Sequence, residues 1–288
     1  MIARRLLLPL IGRYAALTML AVVIMVPFVN MLSTALTGEK ELYLNPGRML
    51  WIPESLRLDN FVRAMTYPGA NFLRAFRNTL FIIAVNITMY IVSSSWIAYG
   101  FARVRFRGRR ALFLFMLSTM MIPSQVTMIP LYIFFSKLHW VNTFMPMLIF
   151  SFFGAPFYIF LIRQFIRGIP DELFDAARID GCNHYRMYWR ITLPQLVPVL
   201  TAIGVFKFIG EWNALMVPLI YLRKRELATI ALELSHLQGM VTQELSAVPL
   251  TNIVMAASLV TMIPPTLIFV LGQKHFLKGV DISTGLKG

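Results

Sequence analysis

Six long apolar stretches constrain this chain more than any other feature of its sequence. A helix that crosses a bilayer needs about 20 apolar residues, and its backbone groups must be paired within the segment. None of the stretches alternates apolar and polar residues as a barrel strand does. The sequence therefore predicts an all-α integral membrane protein, one domain over residues 1–288, with six transmembrane helices at residues 14–36, 78–102, 111–136, 140–162, 194–222 and 249–273.

The composition indicates that much of the surface of the folded chain contacts lipid. Of the 288 residues, 58% are hydrophobic and 14% are charged, so folding in water would leave large apolar patches exposed. The net charge of +14 does not indicate nucleic acid, because the chain has no basic domain interleaved with aromatic residues for base stacking.

The distribution of Lys and Arg predicts an orientation with both termini in the cytoplasm. That placement puts 16 of them in inner segments and 10 in outer segments, in line with the positive-inside rule. The inner loop with the clearest excess of positive charge is Arg103–Arg110, with five arginines and no acid. We interpret it as a turn that binds anionic headgroups. The first stretch is too long for a signal peptide, so it is expected to remain as an uncleaved helix.

The sequence indicates no metal site, no disulfide and no nucleotide site in this chain. It has a single cysteine, Cys182, and its four histidines are far apart, with no HExxH spacing. The phosphate-binding pattern GxxxxGK[ST] does not occur either.

Two connecting segments carry helical patterns. A short surface helix is predicted near Asp59–Tyr67, after a turn at Pro53, and helical spacing recurs at Leu227, Ile230, Ala231 and Leu234. Both segments are candidate contacts for an external partner, and both are also compatible with plain connections.

Polar residues inside predicted spans mark candidate pathway positions, because they are costly in lipid. In the third span, Pro123 and Pro130 each remove a helical hydrogen bond and are predicted to kink the helix. Ser124, Gln125 and Thr127 lie between them. They can line a polar passage, or they can satisfy backbone groups freed by Pro130 or bond a neighbouring helix.

The fifth span carries the charges Lys207 and Glu211, followed by Asn213. Residues four apart share one helix face, so the two charges can neutralise each other. The pair is compatible with a structural role, a helix interface or a face along a transport pathway.

The polar segment at residues 163–193 contains an ordered pattern between Pro170 and Pro194. Pro170 and the acids that follow it favour a helix start, and Gly181 favours its end. Leu173, Phe174, Ala176 and Ala177 are predicted on one arc, opposite Asp171, Glu172, Asp175 and Arg178.

Asp180 opposes the helix dipole at this position. It is better placed if its carboxylate accepts amide hydrogens from Cys182 or Asn183 and so turns the chain into a second short helix, Asn183–Ile191. The residues leave two readings open: an amphipathic hairpin on the bilayer, or a docking element for a partner.

The run Asp175-Ala-Ala-Arg-Ile-Asp-Gly-Cys182, followed by Tyr188 and Leu193-Pro194, resembles the EAA loop of permease subunits of binding-protein-dependent ABC importers. The order and spacing match, with Asp175 for Glu, Cys182 for Ala and Tyr188 for Phe. Further resemblance to the maltose-type second permease of the carbohydrate branch lies in Met121–Tyr132, in Glu211-Trp-Asn213 with Pro218, and in the ending Gly285–Gly288.

This resemblance implies a type I ABC importer permease fold in a bacterial or archaeal cytoplasmic membrane. Its implied partners are a second, non-identical permease subunit, two cytoplasmic ATPases that bind ATP and Mg²⁺, and an external solute-binding protein. The loop would be a coupling helix that docks in an ATPase groove through Glu172, Asp175, Ala176, Ala177, Asp180 and Gly181. The expected pathway residues are Ser124, Gln125, Thr127, Lys207, Glu211 and Asn213.

Two other classes fit the composition less well. A secondary transporter needs coupling carboxylates in several spans, and only Glu211 lies in one. A membrane-bound enzyme needs clustered acids, histidines or a nucleophile, and the sequence shows no such cluster. A sugar, an oligosaccharide, a polyol or a glycerol phosphate is compatible as the solute.

Overall fold

The structure is a computed structural model that describes the backbone of residues 2–44, 52–243 and 250–284, and the side chains of residues 12–44, 52–241 and 250–273. Throughout these ranges the regular structure is helical and no strand occurs, which confirms the all-α prediction. The Gly285–Gly288 ending named above lies outside the described residues. The α-helices are α1 (Ile2–Leu36), α2 (Glu39–Leu44), α3 (Asp59–Met65), α4 (Phe72–Arg103), α5 (Arg109–Ser118), α6 (Ser124–Lys137), α7 (Met145–Leu148), α8 (Pro156–Arg167), α9 (Asp171–Ile179), α10 (His184–Met187), α11 (Leu193–Trp212), α12 (Met216–Tyr221), α13 (Ile230–Gln243) and α14 (Thr251–Thr284).

Within the described residues, five helical segments are long and apolar enough to cross a membrane, and a sharply bent pair makes a sixth if it is one span. The pair consists of Arg109–Met121 and Ser124–Lys137, at 93° to each other. The five continuous segments are Gly12–Leu36, Phe72–Arg103, Met145–Arg167, His184–Trp212 and Thr251–Gln273. Both short helical patterns outside the spans are also present, as α3 and as α13, although Leu227 lies in a separate 3₁₀ turn.

The third predicted span is broken at one of its two prolines rather than kinked at both. Ile122 adopts an extended backbone (ψ 115°), which is the conformation that a following proline favours. Pro123 then precedes the first residue of α6, whereas Pro130 lies inside α6 and the helix continues through it.

The predicted start of the fourth span at residue 140 is wrong, because a tight turn occupies residues 138–144. His139 and Asn142 both have positive φ, a conformation that does not propagate an α-helix. The Asn142 side chain accepts hydrogen bonds from the amides of Arg223 (2.6 Å) and Lys224 (3.0 Å). The turn therefore holds the segment that follows α12.

The predicted fifth span, residues 194–222, is wrong at both ends. The helical run begins at His184, passes through a π-helical turn at Tyr188–Thr192 and ends at Trp212. Asn183 starts it, since its side chain accepts a hydrogen bond from the amide of Arg186 (2.9 Å), as a helix N-cap does. The second short helix expected at Asn183–Ile191 is therefore the first part of the span. The predicted loop at residues 163–193 shortens accordingly.

The described residues form two compact units. The first comprises the residues up to Phe72 together with Glu233–Ile263. Inside it the buried Asn60 side chain donates to the carbonyls of Ala35 (2.8 Å) and Thr37 (3.0 Å), and Asn252 also donates to Thr37 (3.1 Å). These bonds satisfy backbone acceptors at the end of α1, which would otherwise lack partners.

The second unit comprises Leu73–Leu232 and the residues from Pro264 onward. Its main apolar core joins α4, α8, α9 and the helical run that follows α9. Its buried members include Ala98, Tyr99, Ile159, Ile162, Ile166, Phe174, Met187, Tyr188, Leu196, Val199 and Ile203. Helix α9 therefore packs on the bundle through side chains of its own instead of hanging free of it.

Candidate functional site

Helix α9 begins and ends where the sequence predicts. Pro170 has an extended backbone (ψ 137°), and Asp171 and Glu172 occupy the acidic first turn. At the other end Gly181 adopts φ +76°, and the amides of Gly181 and Cys182 donate to the carbonyls of Arg178 (3.0 Å) and Ala177 (2.8 Å). This pair of bonds is the Schellman motif, in which a left-handed glycine ends a helix.

The predicted role of Asp180 is wrong in one respect. The Cys182 amide donates to the Ala177 carbonyl, so it is not available to the Asp180 carboxylate. The left-handed Gly181 turns the chain, and the Asn183 side chain starts the next helix. Asp180 lies in the turn with its side chain exposed.

The predicted apolar arc of α9 divides between two faces. Phe174 and Ala177 are buried against the bundle, whereas Leu173 is 45% exposed and Ala176 is also exposed. The sequence analysis missed Ile179, whose side chain is 87% exposed on the outward face near Glu172 and Ala176. This outward surface, formed by Glu172, Asp175, Ala176 and Ile179, is called the α9 outer face below.

Charges on the α9 outer face are not equivalent. Asp175 forms an ion pair with Arg178 on the same helix. Glu172 is exposed, and its carboxylate has no partner within the part of the chain that the structure describes. Of Glu172 and Asp175, the two acids on this face, Glu172 is therefore the one available for a charge contact with a partner.

The arginine-rich loop has two kinds of residue. Arg103 is held inside the protein, with its side chain 11% exposed, and Arg109 donates to the Val104 carbonyl (3.2 Å). Arg105, Arg107 and Arg110 are exposed. The headgroup interpretation is therefore wrong for Arg103 and stays a prediction for the three exposed arginines.

A second polar cluster lies inside the transmembrane helices of the second unit. The Lys207 ammonium is 2.6 Å from a Glu211 carboxylate oxygen, and the two side chains are 19% and 17% exposed. The same ammonium lies 4.3 Å from the centre of the Tyr90 ring on α4, within cation–π range. Tyr90 in turn contacts Tyr158 of α8 edge-on, at 6.0 Å between ring centres.

Neither tyrosine was singled out from the sequence. A tyrosine in an apolar span carries the same signal whether its hydroxyl faces a headgroup or a cation, so only the packing of α4, α8 and α11 identifies these two. The cluster combines one cation, one anion and two aromatic rings, the kinds of group that bind a polar solute.

The other predicted pathway residues bond locally. Thr127 donates to the carbonyl of Ser124 (3.0 Å) and the Asn213 side chain donates to that of Ile209 (2.9 Å). Ser124 and Gln125 are exposed at the start of α6. The pathway role of Ser124, Gln125, Thr127 and Asn213 stays a prediction.

Over the described ranges, no group of three His, Cys, Asp or Glu side chains could hold a metal ion. The two candidate regions are the α9 outer face and the polar cluster among the membrane helices. Together with five or six candidate spans they define a multi-pass helical membrane protein.

Comparison with known families gives the assignment. Residues 91–282 match the family described as the inner membrane component of binding-protein-dependent transport systems. The chain belongs to this family, which confirms the resemblance seen in the EAA-like loop.

Relatives match over nearly the full chain. The arabinooligosaccharides transport system permease protein AraQ of Halalkalibacterium halodurans is 32% identical, over 93% of this chain and 93% of its own length. The diacetylchitobiose uptake system permease protein NgcG of Streptomyces coelicolor is 26% identical, over 94% and 87%.

A solved structure gives the fold. A chain in the crystal structure of a bacterial ABC transporter that imports the acidic polysaccharide alginate matches with a TM-score of 0.77. The identity is 22%, and the match covers 92% of this chain and 95% of that chain. This confirms the type I ABC importer permease fold.

Proposed function

We propose that this chain is a permease subunit of an ATP-driven importer for an oligosaccharide or a related solute. Family membership supports the transport role. The names of the relatives support a saccharide, since they refer to arabinooligosaccharides, diacetylchitobiose and starch degradation products. The chain lies in the cytoplasmic membrane, with both termini and α9 on the cytoplasmic side.

The proposed complex contains a second, related permease subunit, two ATPases and an external solute-binding protein. The ATPases bind ATP and Mg²⁺, and this chain holds no cofactor. A bacterial alginate ABC transporter has been solved in complex with an alginate pentasaccharide-bound periplasmic protein, which supports an external solute-binding protein as a partner.

The observation that carries the proposal is the α9 outer face. An isoleucine that is 87% exposed, about two turns from a carboxylate without a partner among the described residues, is poorly explained by contact with water alone. An apolar centre with a polar rim is the pattern of a protein interface. The buried Phe174 and Ala177 fix the other side of α9 to the bundle. A displacement of α9 by an ATPase would therefore move the membrane helices with it.

The proposed mechanism is alternating access. Closure of the two ATPases on ATP would push the paired coupling helices, and the attached spans would rotate so that the pathway opens outward. Hydrolysis would release the ATPases and reset the inward-facing state. The cluster of Lys207, Glu211, Tyr90 and Tyr158 is the proposed place where solute passes this chain, with Ser124, Gln125, Thr127 and Asn213 as further candidates.

The test is reconstitution of the assembled complex in liposomes with its solute-binding protein. Uptake of maltotriose, arabinotriose or diacetylchitobiose should require internal ATP. Uptake that continues without ATP would instead support a secondary transporter, with Glu211 as its coupling carboxylate.

Ile179→Asp is expected to lower retention of the ATPases on the purified permease by on the order of tenfold. Truncating a central apolar anchor typically has an effect of this size, and the side chain is too exposed to contribute to the fold. Ile52→Asp is the matched control, because Ile52 is 84% exposed in a segment predicted on the outer side. Equal ATPase retention in the two variants would contradict the docking role of Ile179.

Glu172→Gln is expected to reduce ATPase retention about three- to tenfold, whereas Asp175→Asn should change it less than twofold. Glu172 is unpaired and available for a charged hydrogen bond, whereas Asp175 already pairs with Arg178. The comparison uses the same co-purification assay at low salt, where a surface charge contact is least screened. A larger loss of ATPase retention with Asp175→Asn would make Asp175, and not Glu172, the charge contact with the ATPase.

A further inference from the structure

Arg103 is the last residue of α4 and reaches the connection that precedes α9. Its Nη2 donates to the carbonyls of Ile166 (2.7 Å) and Ile169 (2.6 Å). The Ile166 carbonyl also accepts a hydrogen bond from the Ile169 amide (3.3 Å), so the guanidinium adds a second bond there and attaches α4 to the end of α8.

The same guanidinium also holds the beginning of α9. Its Nη1 bonds the Asp171 carboxylate in the first turn, and its central carbon lies 3.8 Å from the centre of the Phe174 ring. Phe174 is 2% exposed, so Arg103 packs on the buried side of α9. One side chain thus joins α4 to the end of α8 and to the start of α9.

Helix α4 also contacts the segment that follows α9. The Tyr99 hydroxyl lies 3.2 Å from His184 Nδ1, and the Ser95 and Tyr188 hydroxyls lie 2.7 Å apart. Helix α9 is therefore attached to α4 on both of its flanks, and Arg103 makes the attachment on its N-terminal side.

Fold stability alone explains Arg103 poorly. The Arg103 side chain, at 11% exposure, costs desolvation energy, and its partner Asp171 is 84% exposed, so solvent screens the attraction between the two charges. Within the described ranges its buried Nε has no hydrogen-bond partner, which adds to the cost. Helix α8 already ends at Gly168, whose amide donates to the carbonyls of Gln164 (3.3 Å) and Phe165 (3.0 Å), so Arg103 is not needed to end it.

We propose that Arg103 is a positioning residue that fixes the coupling helix to α4, so that a displacement of α9 moves α4 with it. This proposal rests on the proposed function. From Arg103 to Tyr90, thirteen residues earlier, α4 spans about 20 Å at 1.5 Å per residue. Tyr90 contacts Lys207, so α4 joins the coupling helix directly to the polar cluster.

The test compares purified complexes that carry Arg103→Met, Arg103→Lys or Arg105→Met. Methionine keeps the length of the side chain but removes every donor, lysine keeps the charge but not the planar fork, and Arg105 is an exposed arginine of the same loop. ATP hydrolysis is measured per assembled complex, with the solute-binding protein, in the presence and absence of a mixture of maltotriose, arabinotriose and diacetylchitobiose.

Arg103→Met should lower the ratio of saccharide-stimulated to basal hydrolysis by about tenfold, a size typical of coupling between distant sites. Arg103→Lys should recover part of the ratio, and Arg105→Met should leave it unchanged. A stabilising role alone would reduce the amount of complex but not the ratio. An unchanged ratio in both Arg103 variants would overturn the proposal.

Cys182 gives a second readout that needs no transport. It is the single cysteine of the chain, and it packs against the core beside α9. Arg103→Met should increase its rate of modification by maleimide severalfold in the purified complex, as followed by peptide mass spectrometry, and Arg105→Met should not. If the wild-type complex shows no saccharide stimulation, the proposed function fails while this rate still decides the role of Arg103. Equal rates in Arg103→Met and wild type would overturn the positioning role.

Discussion

A complex that carries Gly181→Val is expected to insert and assemble but to lose uptake by at least about tenfold. Gly181 has φ +76°, and a residue with a Cβ pays about 1–2 kcal/mol in that region, more when it is β-branched. The chain would relieve this strain by leaving the left-handed conformation. The two Schellman hydrogen bonds would break and the direction from α9 into the next span would change.

The environment of Gly181 makes this prediction specific. A Cβ built on it meets no atom of the chain within 4 Å, so the required feature is the backbone conformation and not lack of space. Gly181→Asn should therefore retain most activity, because asparagine tolerates the left-handed region. Uptake is measured in proteoliposomes at equal amounts of assembled complex.

Gly108 provides a matched control for strain. It has φ +80° and open space around its Cβ position, and it lies in the arginine-rich loop before α5. Gly108→Val carries a similar backbone cost, but it should leave uptake within about twofold of the wild type. Equal losses of uptake in Gly108→Val and Gly181→Val would mean that backbone strain in any loop on the proposed cytoplasmic side disables transport. That result would contradict the coupling role of Gly181.

The ends of α9 could be predicted because they follow local rules. Pro170 cannot donate an amide hydrogen and suits a helix start, and Gly181 is the residue type that adopts positive φ most readily. Such rules need only a few neighbouring residues, so the sequence carries them in full. The existence of the five continuous spans, though not all of their ends, could also be predicted, because the bilayer sets the length and apolarity of a span.

The contacts of α9 could not be predicted, since they depend on helices far away in the chain. A helical wheel identifies which residues are apolar, but it does not identify which partner covers them. Phe174 and Ala177 pack on the bundle, whereas Ile179 stays outside. Arg103 belongs to a basic loop that suits headgroups by composition, and only its proximity to Ile166 and Ile169 shows that it is internal.

The predicted span boundaries are wrong where a polar side chain, and not the length of the apolar run, sets the end of the helix. Trp140, Val141 and Phe144 extend the apolar run toward the N-terminus. Asn142 nevertheless forms a turn there, and its side chain accepts two backbone hydrogen bonds. The opposite occurs at Asn183, where a polar cap begins a span that hydropathy places about ten residues later. Hydropathy averages over such single residues, so it cannot locate them.

Neutralising Lys207 alone is expected to disturb assembly strongly. Lys207→Met leaves Glu211 without its partner at 17% exposure. Removal of one member of a buried pair costs about 3–5 kcal/mol, and partial exposure lowers this to about 2–3 kcal/mol by screening. The amount of assembled complex should therefore fall several-fold, as measured by co-purification with the partner subunits.

The double variant Lys207→Met/Glu211→Met separates a structural pair from a pathway group. Removing both charges removes the unpaired carboxylate, so assembly should recover to near the wild-type amount. A pair that only joined helices would let uptake recover as well. We expect uptake per complex to stay below about a tenth of the wild type, because the solute would lose two charged hydrogen-bonding groups beside Tyr90.

The ion pair of Glu39 and Arg63 serves as the control for this comparison. Its atoms are also 2.6 Å apart, but its side chains are 37% and 47% exposed in the other compact unit. Exposed pairs contribute about 0–1 kcal/mol, so neither the single nor the double neutralisation there should change assembly or uptake appreciably. Full recovery of uptake in the Lys207→Met/Glu211→Met complex would make the pair structural and would move the solute path of this chain away from the cluster of Tyr90 and Tyr158.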